Sequence, residues 1–139
     1  MNASKIFIDT APFIYLLEDN NRYSDKIRAM VSEYYMTGAL FSTSMLTFTE
    51  YCVVPYRQNN IEKIKSFEMF LTDADIFIVP LTKEIANFAA QLRAKYFGLK
   101  SMDALQLASA IQNKCDIFLT NDKQLKQVTE IECMLVGEL

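Results

Sequence analysis

Histidine is absent from all 139 residues of the chain. That omission removes Ser-His and Cys-His nucleophilic machinery and His-ligated zinc, and it leaves carboxylates to carry any catalysis. Oxygen ligands for a hard cation, Mg²⁺ or Mn²⁺, become the leading option. Glycine and proline are scarce, three of each. No Ser/Gly/Pro-rich stretch or block of like charge interrupts the chain, so nothing reads as linker, disordered tail or low-complexity segment. No internal repeat is present. The three cysteines, Cys52, Cys115 and Cys133, are odd in number and lack CxxC or other metal-like spacing, which predicts buried free thiols. Long hydrophobic runs are missing too. The first apolar segment, Ile6 to Ile8, is too brief for a signal-peptide core or a membrane span, so a cytoplasmic protein with no membrane partner is expected.

What the chain does contain, 51% hydrophobic and 22% charged residues, describes one globular domain over residues 1–139 with enough apolar matter for a core. Strand-like apolar runs alternate with helical patterns. Lys5 to Asp9 reads as a strand, followed by a short helix over Pro12 to Leu17 opened by Thr10. A helix over Ser24 to Thr37 is stopped by Gly38, and Ala39 to Ser42 is the second strand. Ser44 caps a helix carrying Leu46, Glu50 and Val54, and Ile61 to Leu71 is helical with Ile64, Phe67 and Leu71 on one face. Asp75 to Val79 is a third strand. Thr82 and Glu84 to Tyr96 form an amphipathic helix with Ile85, Phe88, Ala89 and Leu92 inward, ended by Gly98. Ser101 caps the helix Met102 to Asn113, whose Ala104, Ala108 and Ala110 allow close packing. Ile117 to Leu119, a short helix over Lys123 to Val128 and a strand over Ile131 to Val136 complete the chain. The alternation predicts a three-layer α/β/α sandwich around a parallel sheet.

In such sheets ligands bind beyond the carboxyl ends of the strands, so the placement of an acid matters more than its presence. Asp9 and Asp122 both follow apolar runs and fall at that edge, whereas Asp75 and Asp116 precede strands and fall at the other. Each acid of interest also has a plain structural reading. Asp9 and Asp122 suit helix caps, and Asp103, in a first helical turn, is favoured by the macrodipole. Glu50 has Leu46, Thr47, Val53 and Val54 three and four residues away, which predicts an inward apolar stripe. A carboxylate there costs on the order of several kcal/mol unless it is metal-bound or paired with Arg or Lys. Carboxylates converging at one edge repel and raise one another's pKa, a conflict that divalent cations relieve.

The net charge of −3 looks unsuited to a nucleic-acid binder, which usually presents a basic surface. Setting four site acids aside leaves 13 of the 17 acids against 14 Lys and Arg. Two bound divalent cations restore the same slight positive balance where it is needed.

Four stretches carry a family resemblance: Phe-Ile-Asp-Thr-Ala at Phe7 to Ala11, Thr-Phe-Thr-Glu-Tyr at Thr47 to Tyr51, Met-Asp-Ala-Leu-Gln-Leu-Ala at Met102 to Ala108, and Phe-Leu-Thr-Asn-Asp at Phe118 to Asp122. In this order, spread over nearly the whole chain, they resemble PIN-domain ribonucleases of the VapC toxin type, the toxins of type II toxin-antitoxin pairs. The resemblance implies that Asp9, Glu50, Asp103 and Asp122 form an acidic Mg²⁺/Mn²⁺ site. Thr120 and Asn121 would then shape the loop that presents Asp122, and Thr10 would orient water or phosphate. It further implies endonucleolytic cleavage of tRNA or ribosomal RNA, leaving 3′-hydroxyl and 5′-phosphate ends, with single-stranded loops as the readable target. A small antitoxin with a basic arm and a homodimeric assembly are the partners it implies. Tyr34, Tyr35, Met36, Phe67, Met69 and Phe70 are candidates for an antitoxin groove or dimer face, with core packing as the alternative. Arg57, Arg93, Lys95 and Lys100 could touch phosphate, although each also reads as ordinary surface charge.

Competing readings differ by position. A receiver-type phosphoacceptor needs an Asp just after the third strand, where Pro80-Leu81-Thr82 stands. A dehalogenase-type phosphatase needs a second Asp two residues after Asp9, where Ala11 stands. A binding-only PIN domain is expected to have lost one or more of the acids, and this chain keeps all four; a catalytically weak or solitary PIN domain, acting in binding or housekeeping RNA processing, is the alternative to the toxin reading.

Overall fold

The computed structural model describes residues 5–19 and 22–139. Five strands form the centre: β1 (Lys5–Ile8), β2 (Leu40–Ser44), β3 (Phe77–Val79), β4 (Ile117–Thr120) and β5 (Glu132–Leu135). All neighbours pair in parallel, in the order β3-β2-β1-β4-β5. Six helices surround them: α1 (Thr10–Leu17), α2 (Ser24–Met36), α3 (Met45–Arg57), α4 (Ile61–Asp73), α5 (Lys83–Lys95) and α6 (Ser101–Gln112). The result is the expected three-layer α/β/α sandwich.

Alternation along the strands divides the core into two. Ile6, Ile8, Ile117 and Leu119 face the layer built from α1 to α4, with Phe13, Ile27, Tyr51, Ile64, Phe67 and Leu71 packed on them. Phe7 and Phe118 point the other way, onto Ile85, Ala89 and Leu92 of α5 and Ala104, Leu107 and Ala108 of α6. Phe7 and Phe118 lie opposite each other in the β1–β4 ladder, rings stacked at 5.3 Å and 7°. Small residues bring α6 down tightly: Ala104, Ala108 and Ala110 are all fully buried. That close seating fixes where the polar residues of α6 emerge.

The caps show how local sequence sets the boundaries. Ser44 accepts from the backbone N of Leu46 at 3.1 Å, Asn60 from Lys63 at 3.1 Å and Thr82 from Ile85 at 3.2 Å. Gly38, at φ 85°, takes the left-handed position beyond α2. Several expectations need correction. Ser101 is the first helical residue of α6, and the cap position belongs to Lys100, which makes no side-chain cap bond. Asp75 lies outside β3, in a left-handed turn at φ 54°, because α4 runs on to Asp73 and the chain must reverse. The segment after Asp122 is a 3₁₀ turn, Lys123–Gln127. Of the six candidate groove residues, Tyr34 and Phe67 belong to the core and Phe70 packs partly against it, while Tyr35, Met36 and Met69 are exposed. The cysteines are free thiols, Cys52 and Cys133 buried and Cys115 partly so, and burial pushes the Cys133 thiol up to about 11. Among the described residues no helix is long and apolar enough to cross a membrane.

Candidate active site

The strand order reverses beside β1: the chain runs outward through β2 and β3, then returns to place β4 on the other side of β1. Such a reversal opens a crevice beyond the carboxyl ends of the two strands. A cleft of about 410 Å³ lies there, lined by Asp9, Thr10, Ala11, Ile14, Glu50, Met102, Asp103, Gln106, Thr120, Asn121 and Asp122. All four expected acids and all three expected supporting residues are on its wall. Asp116 sits at the opposite edge, where its carboxylate accepts from the backbone N of Lys5 at 2.9 Å. Asp75 lines a separate hollow with Lys5 and Phe77, also away from the acids.

Asp9 is the best-anchored of the four. Its backbone N donates to Leu119 across the β1–β4 seam at 2.9 Å. Its Oδ1 accepts from the backbone N of Thr10 at 2.9 Å and from Gln106 Nε2 at 3.1 Å, and its Oδ2 from Thr120 Oγ1 at 2.9 Å. Asp9 is therefore the cap of α1, as the plain reading holds, but a cap does not need two further side-chain donors. Despite these donors its carboxyl is pushed up to about 6, chiefly by burial, with the Asp103 charge adding to it. Asp103, half-buried in the first turn of α6, is raised as well, by burial and then by the charge of Asp122; Lys100 pulls it down and Glu50 adds a smaller push upward. Asp122 caps the 3₁₀ turn by accepting from Gln124 N at 3.0 Å, and its own N donates to Thr120 Oγ1 at 3.2 Å. Asn121 Nδ2 donates to the Tyr15 hydroxyl at 3.1 Å. Thr120 thus ties Asp9 and Asp122 together through one hydroxyl.

Glu50 reaches the cleft for a different reason from the one its neighbours suggest. The inward face of α3 is Thr47, Tyr51, Cys52 and Pro55, while Glu50, Val53 and Val54 are exposed. The cost of burying a carboxylate therefore does not apply to it. Glu50 is held at the cleft by Thr10 Oγ1, which donates to its Oε1 at 2.7 Å, and among the described residues it makes no ion pair. The Arg or Lys partner that would make it structural is absent there.

Sequence reasoning missed the group beneath these acids. Gln106 is 2% exposed. Its Nε2 donates to Asp9, to Thr47 Oγ1 at 2.8 Å and, at 3.4 Å, to Thr10 Oγ1. Its Oε1 accepts from Ser44 Oγ. Thr47 and Thr10 are bonded at 3.1 Å, and because Thr10 spends its proton on Glu50, Thr47 is the donor of that pair. A directed chain runs from Ser44 through Gln106, Thr47 and Thr10 to Glu50. The signal for it was a lone amide on a buried face of α6 otherwise made of alanines, Leu107 and Ser109. Of the possible phosphate contacts, Lys95 is neutralised by Glu130 at 3.2 Å, and Arg93 Nε donates to the carbonyl of Leu99 at 3.0 Å. Arg57 ends α3, and Lys100 precedes α6.

The donor set consists wholly of hard oxygens, suited to Mg²⁺ or Mn²⁺. Among the described residues, however, no three acid, cysteine or histidine side chains stand close enough together to hold a metal ion as they are placed.

Comparison with known proteins follows the same outline. The family model for the PIN domain matches residues 6–131. The fold is similar to that of VapBC2 from Rickettsia felis, solved bound to a DNA fragment from its promoter (TM-score 0.76, 15% identity, covering 94% of this chain and 98% of that one). It is also similar to a toxin-antitoxin complex from Klebsiella pneumoniae (0.71, 20%, 94% and 97%), and to Mycobacterium tuberculosis VapC20, a sarcin-ricin-loop-cleaving toxin (0.69, 12%, 91% and 97%). A search of curated proteins gives no significant match. With a family model covering most of its length and a parallel sheet in the matching architecture, the chain belongs to the PIN-domain family.

Proposed function

We propose that the cleft is the active site of a Mg²⁺- or Mn²⁺-dependent endoribonuclease, and that the chain is the toxin of a toxin-antitoxin pair. The observation that carries this reading is convergence: four carboxylates from four separate segments line one cleft, and burial first, then the charge of neighbouring carboxylates, raises both Asp9 and Asp103. Structural acids of a folded domain are ordinarily paired or solvated, and carboxyls shifted upward in a cleft are the candidates for a functional site. Asp9, Glu50, Asp103 and Asp122 would hold the cation. When bound, it would supply positive charge to a phosphodiester and acidity to water.

The remaining work falls to the chain. Gln106 and Thr120 hold the Asp9 carboxylate from both of its oxygens, so it faces the cleft in one orientation. Thr10, with its hydroxyl committed to Glu50, keeps that acid turned inward. Thr120 also fixes the backbone of Asp122. In the hydrolysis, the oxygen of water attacks phosphorus, the bond to the 3′ oxygen breaks, and that oxygen takes up a proton, giving 3′-hydroxyl and 5′-phosphate ends.

Likeness to VapC20, which cleaves the sarcin-ricin loop, supports ribosomal RNA as substrate, tRNA resting on the motif resemblance alone, and likeness to toxin-antitoxin complexes supports a small antitoxin as partner. An acidic protein with an apolar hollow of about 420 Å³ between α1, α2 and α4, lined by Leu16, Val31, Tyr35, Phe70 and Ile76 with Arg28 at its rim, suits an antitoxin segment. The exposed Val53, Val54 and Tyr56 of α3 suit a second copy of the chain. A cytoplasmic setting fits these partners.

One observation favours a second reading, a PIN domain that binds RNA or protein and cleaves weakly: the acids share a cleft without a ready three-ligand cluster among the described residues. Incubating the purified protein with total RNA separates the two. Discrete fragments formed with Mg²⁺ or Mn²⁺ and lost in chelator support the nuclease; intact RNA under all conditions supports the binding protein.

A further inference from the structure

Phe97 stands in the turn between α5 and α6 with its side chain wholly in water, 100% exposed. The turn itself is not slack. On one side, the Tyr96 hydroxyl accepts from the backbone N of Thr129 at 3.2 Å and bonds to Glu130. On the other, Leu99 is buried in the core beneath α5 and α6, its N donating to Tyr96 O at 3.2 Å and its O accepting from Arg93 at 3.0 Å. Gly98, at φ 86°, closes the turn in a conformation open to glycine. A phenyl ring kept out of the core forgoes the hydrophobic stabilisation that burial would bring. Here it is held out by a pinned backbone.

Its surroundings are basic. Phe97 and Gly98 border two hollows, one of about 420 Å³ shared with Arg93 and Lys100, the other of about 450 Å³ shared with Lys123, Gln124 and Gln127. Nearby Lys95 and Lys126 are neutralised by Glu130 and Glu138. Among the described residues Arg93, Lys100 and Lys123 have no such acidic partner. Lys100 immediately precedes the helix that carries Asp103, and Lys123 directly follows Asp122. The platform therefore adjoins the acidic cleft on the side of those two acids.

An exposed ring among cations that make no salt bridge among the described residues matches the two surfaces of a single-stranded nucleotide, whose base stacks on aromatics and whose phosphates seek positive charge. We propose that Phe97, flanked by Arg93, Lys100 and Lys123, is a stacking subsite for an unpaired nucleotide of the RNA next to the scissile phosphodiester. The inference rests on the ribonuclease reading of the adjoining cleft. A base inside a duplex has its faces covered by its neighbours, so the subsite selects unpaired RNA.

The chain has no tryptophan, so Phe97→Trp places a single indole at the subsite, which red-edge excitation reads apart from the seven tyrosines. Titration with a single-stranded RNA octamer in chelator is expected to quench it saturably, and a hairpin-free duplex of the same sequence to quench it far less. In cleavage assays Phe97→Ala is expected to raise KM about tenfold, the scale of one lost base stack, with kcat little changed and KM restored by Phe97→Trp. Quenching without cleavage by the wild-type protein keeps the subsite and removes the ribonuclease reading. Cleavage with no quenching and an unchanged KM in Phe97→Ala removes the subsite and keeps the ribonuclease. If the ring anchors a protein partner or a second copy, RNA leaves the fluorescence unchanged while Phe97→Ala alters the assembled mass, which also overturns the proposal.

Discussion

Gln106 donates its side-chain amide to Oδ1 of Asp9 at 3.1 Å, joining α6 to the end of β1 across 97 residues of sequence. The amide is buried and every neighbour it serves is polar, so its replacement has two separable effects. Gln106→Leu leaves the Ser44 hydroxyl without its acceptor and Thr47 without its donor. Each group so stranded costs about 1–3 kcal/mol, and chemical denaturation reads the sum. Asp9 also loses a donor to its ionised form, so its carboxyl rises above about 6. Because the ionised form is the one that binds a cation, the rising limb of the pH–activity profile moves to higher pH. A loss of stability with an unshifted limb would mean that Gln106 serves the fold alone.

Asp9→Asn should abolish cleavage and stabilise the metal-free protein. The folded pKa of about 6 lies above the ordinary 3.8. The stability Asp9 contributes is therefore full below pH 3.8 and lost as pH rises through about 6. At pH 7.5 the ionised carboxylate weakens the fold by about 3 kcal/mol, each pKa unit being worth about 1.4 kcal/mol. Asparagine keeps an oxygen for Thr10 and Gln106 and offers its NH₂ to the Thr120 oxygen. Thermal melts at pH 7.5 in chelator should show a higher Tm for the variant, with the gap closing by pH 4. A lower Tm at pH 7.5 would show that the Asp9 charge is already compensated without metal.

Thr120→Val removes the donor to Asp9 Oδ2 and the acceptor for the backbone N of Asp122 while keeping the shape of a fully buried side chain. Stability is expected to fall by about 1–2 kcal/mol. Cleavage should fall with it, and its pH limb should move upward as in Gln106→Leu, because both variants remove a donor from the same carboxylate. Combined in one protein, the two substitutions should shift the limb further than either alone; a limb that does not move would separate Thr120 from the site.

Much of this arrangement was legible in the chain, for reasons that differ residue by residue. Asp9 and Asp122 could be placed because parallel strands are buried on both faces and stand out as unbroken apolar runs, so the residue after each run must lie at the carboxyl edge. Asp116 could be set aside by the same logic and is found holding the start of β1. Glu50 was placed in the cleft on a mistaken premise. Its apolar neighbours Val53 and Val54 lie on the outside of α3, and the inward face carries Thr47 and Tyr51. Helical spacing identifies a stripe without saying which way it faces, and here exposed valines mimicked a core. Ser101 misled in a similar way, since a serine ahead of an apolar helix fits the first turn as well as the cap. Gln106 and Thr47 were not assigned because hydrogen-bond partners from β2, α3 and α6 meet only in three dimensions, although an amide in a helix of alanines and leucines was a visible anomaly.

The claim on which the rest depends is that Asp9, Glu50, Asp103 and Asp122 together form one divalent-cation site. Mn²⁺ binding to the purified protein at pH 7.5, followed by the loss of the free-ion paramagnetic resonance signal and compared with RNA cleavage in the same samples, tests it most directly. The account predicts saturable uptake by the wild-type protein, loss of that uptake in Asp9→Asn and in Asp103→Asn, and cleavage that rises and falls with occupancy. Equal uptake by all three proteins, or RNA cleavage that persists in chelator, would contradict it.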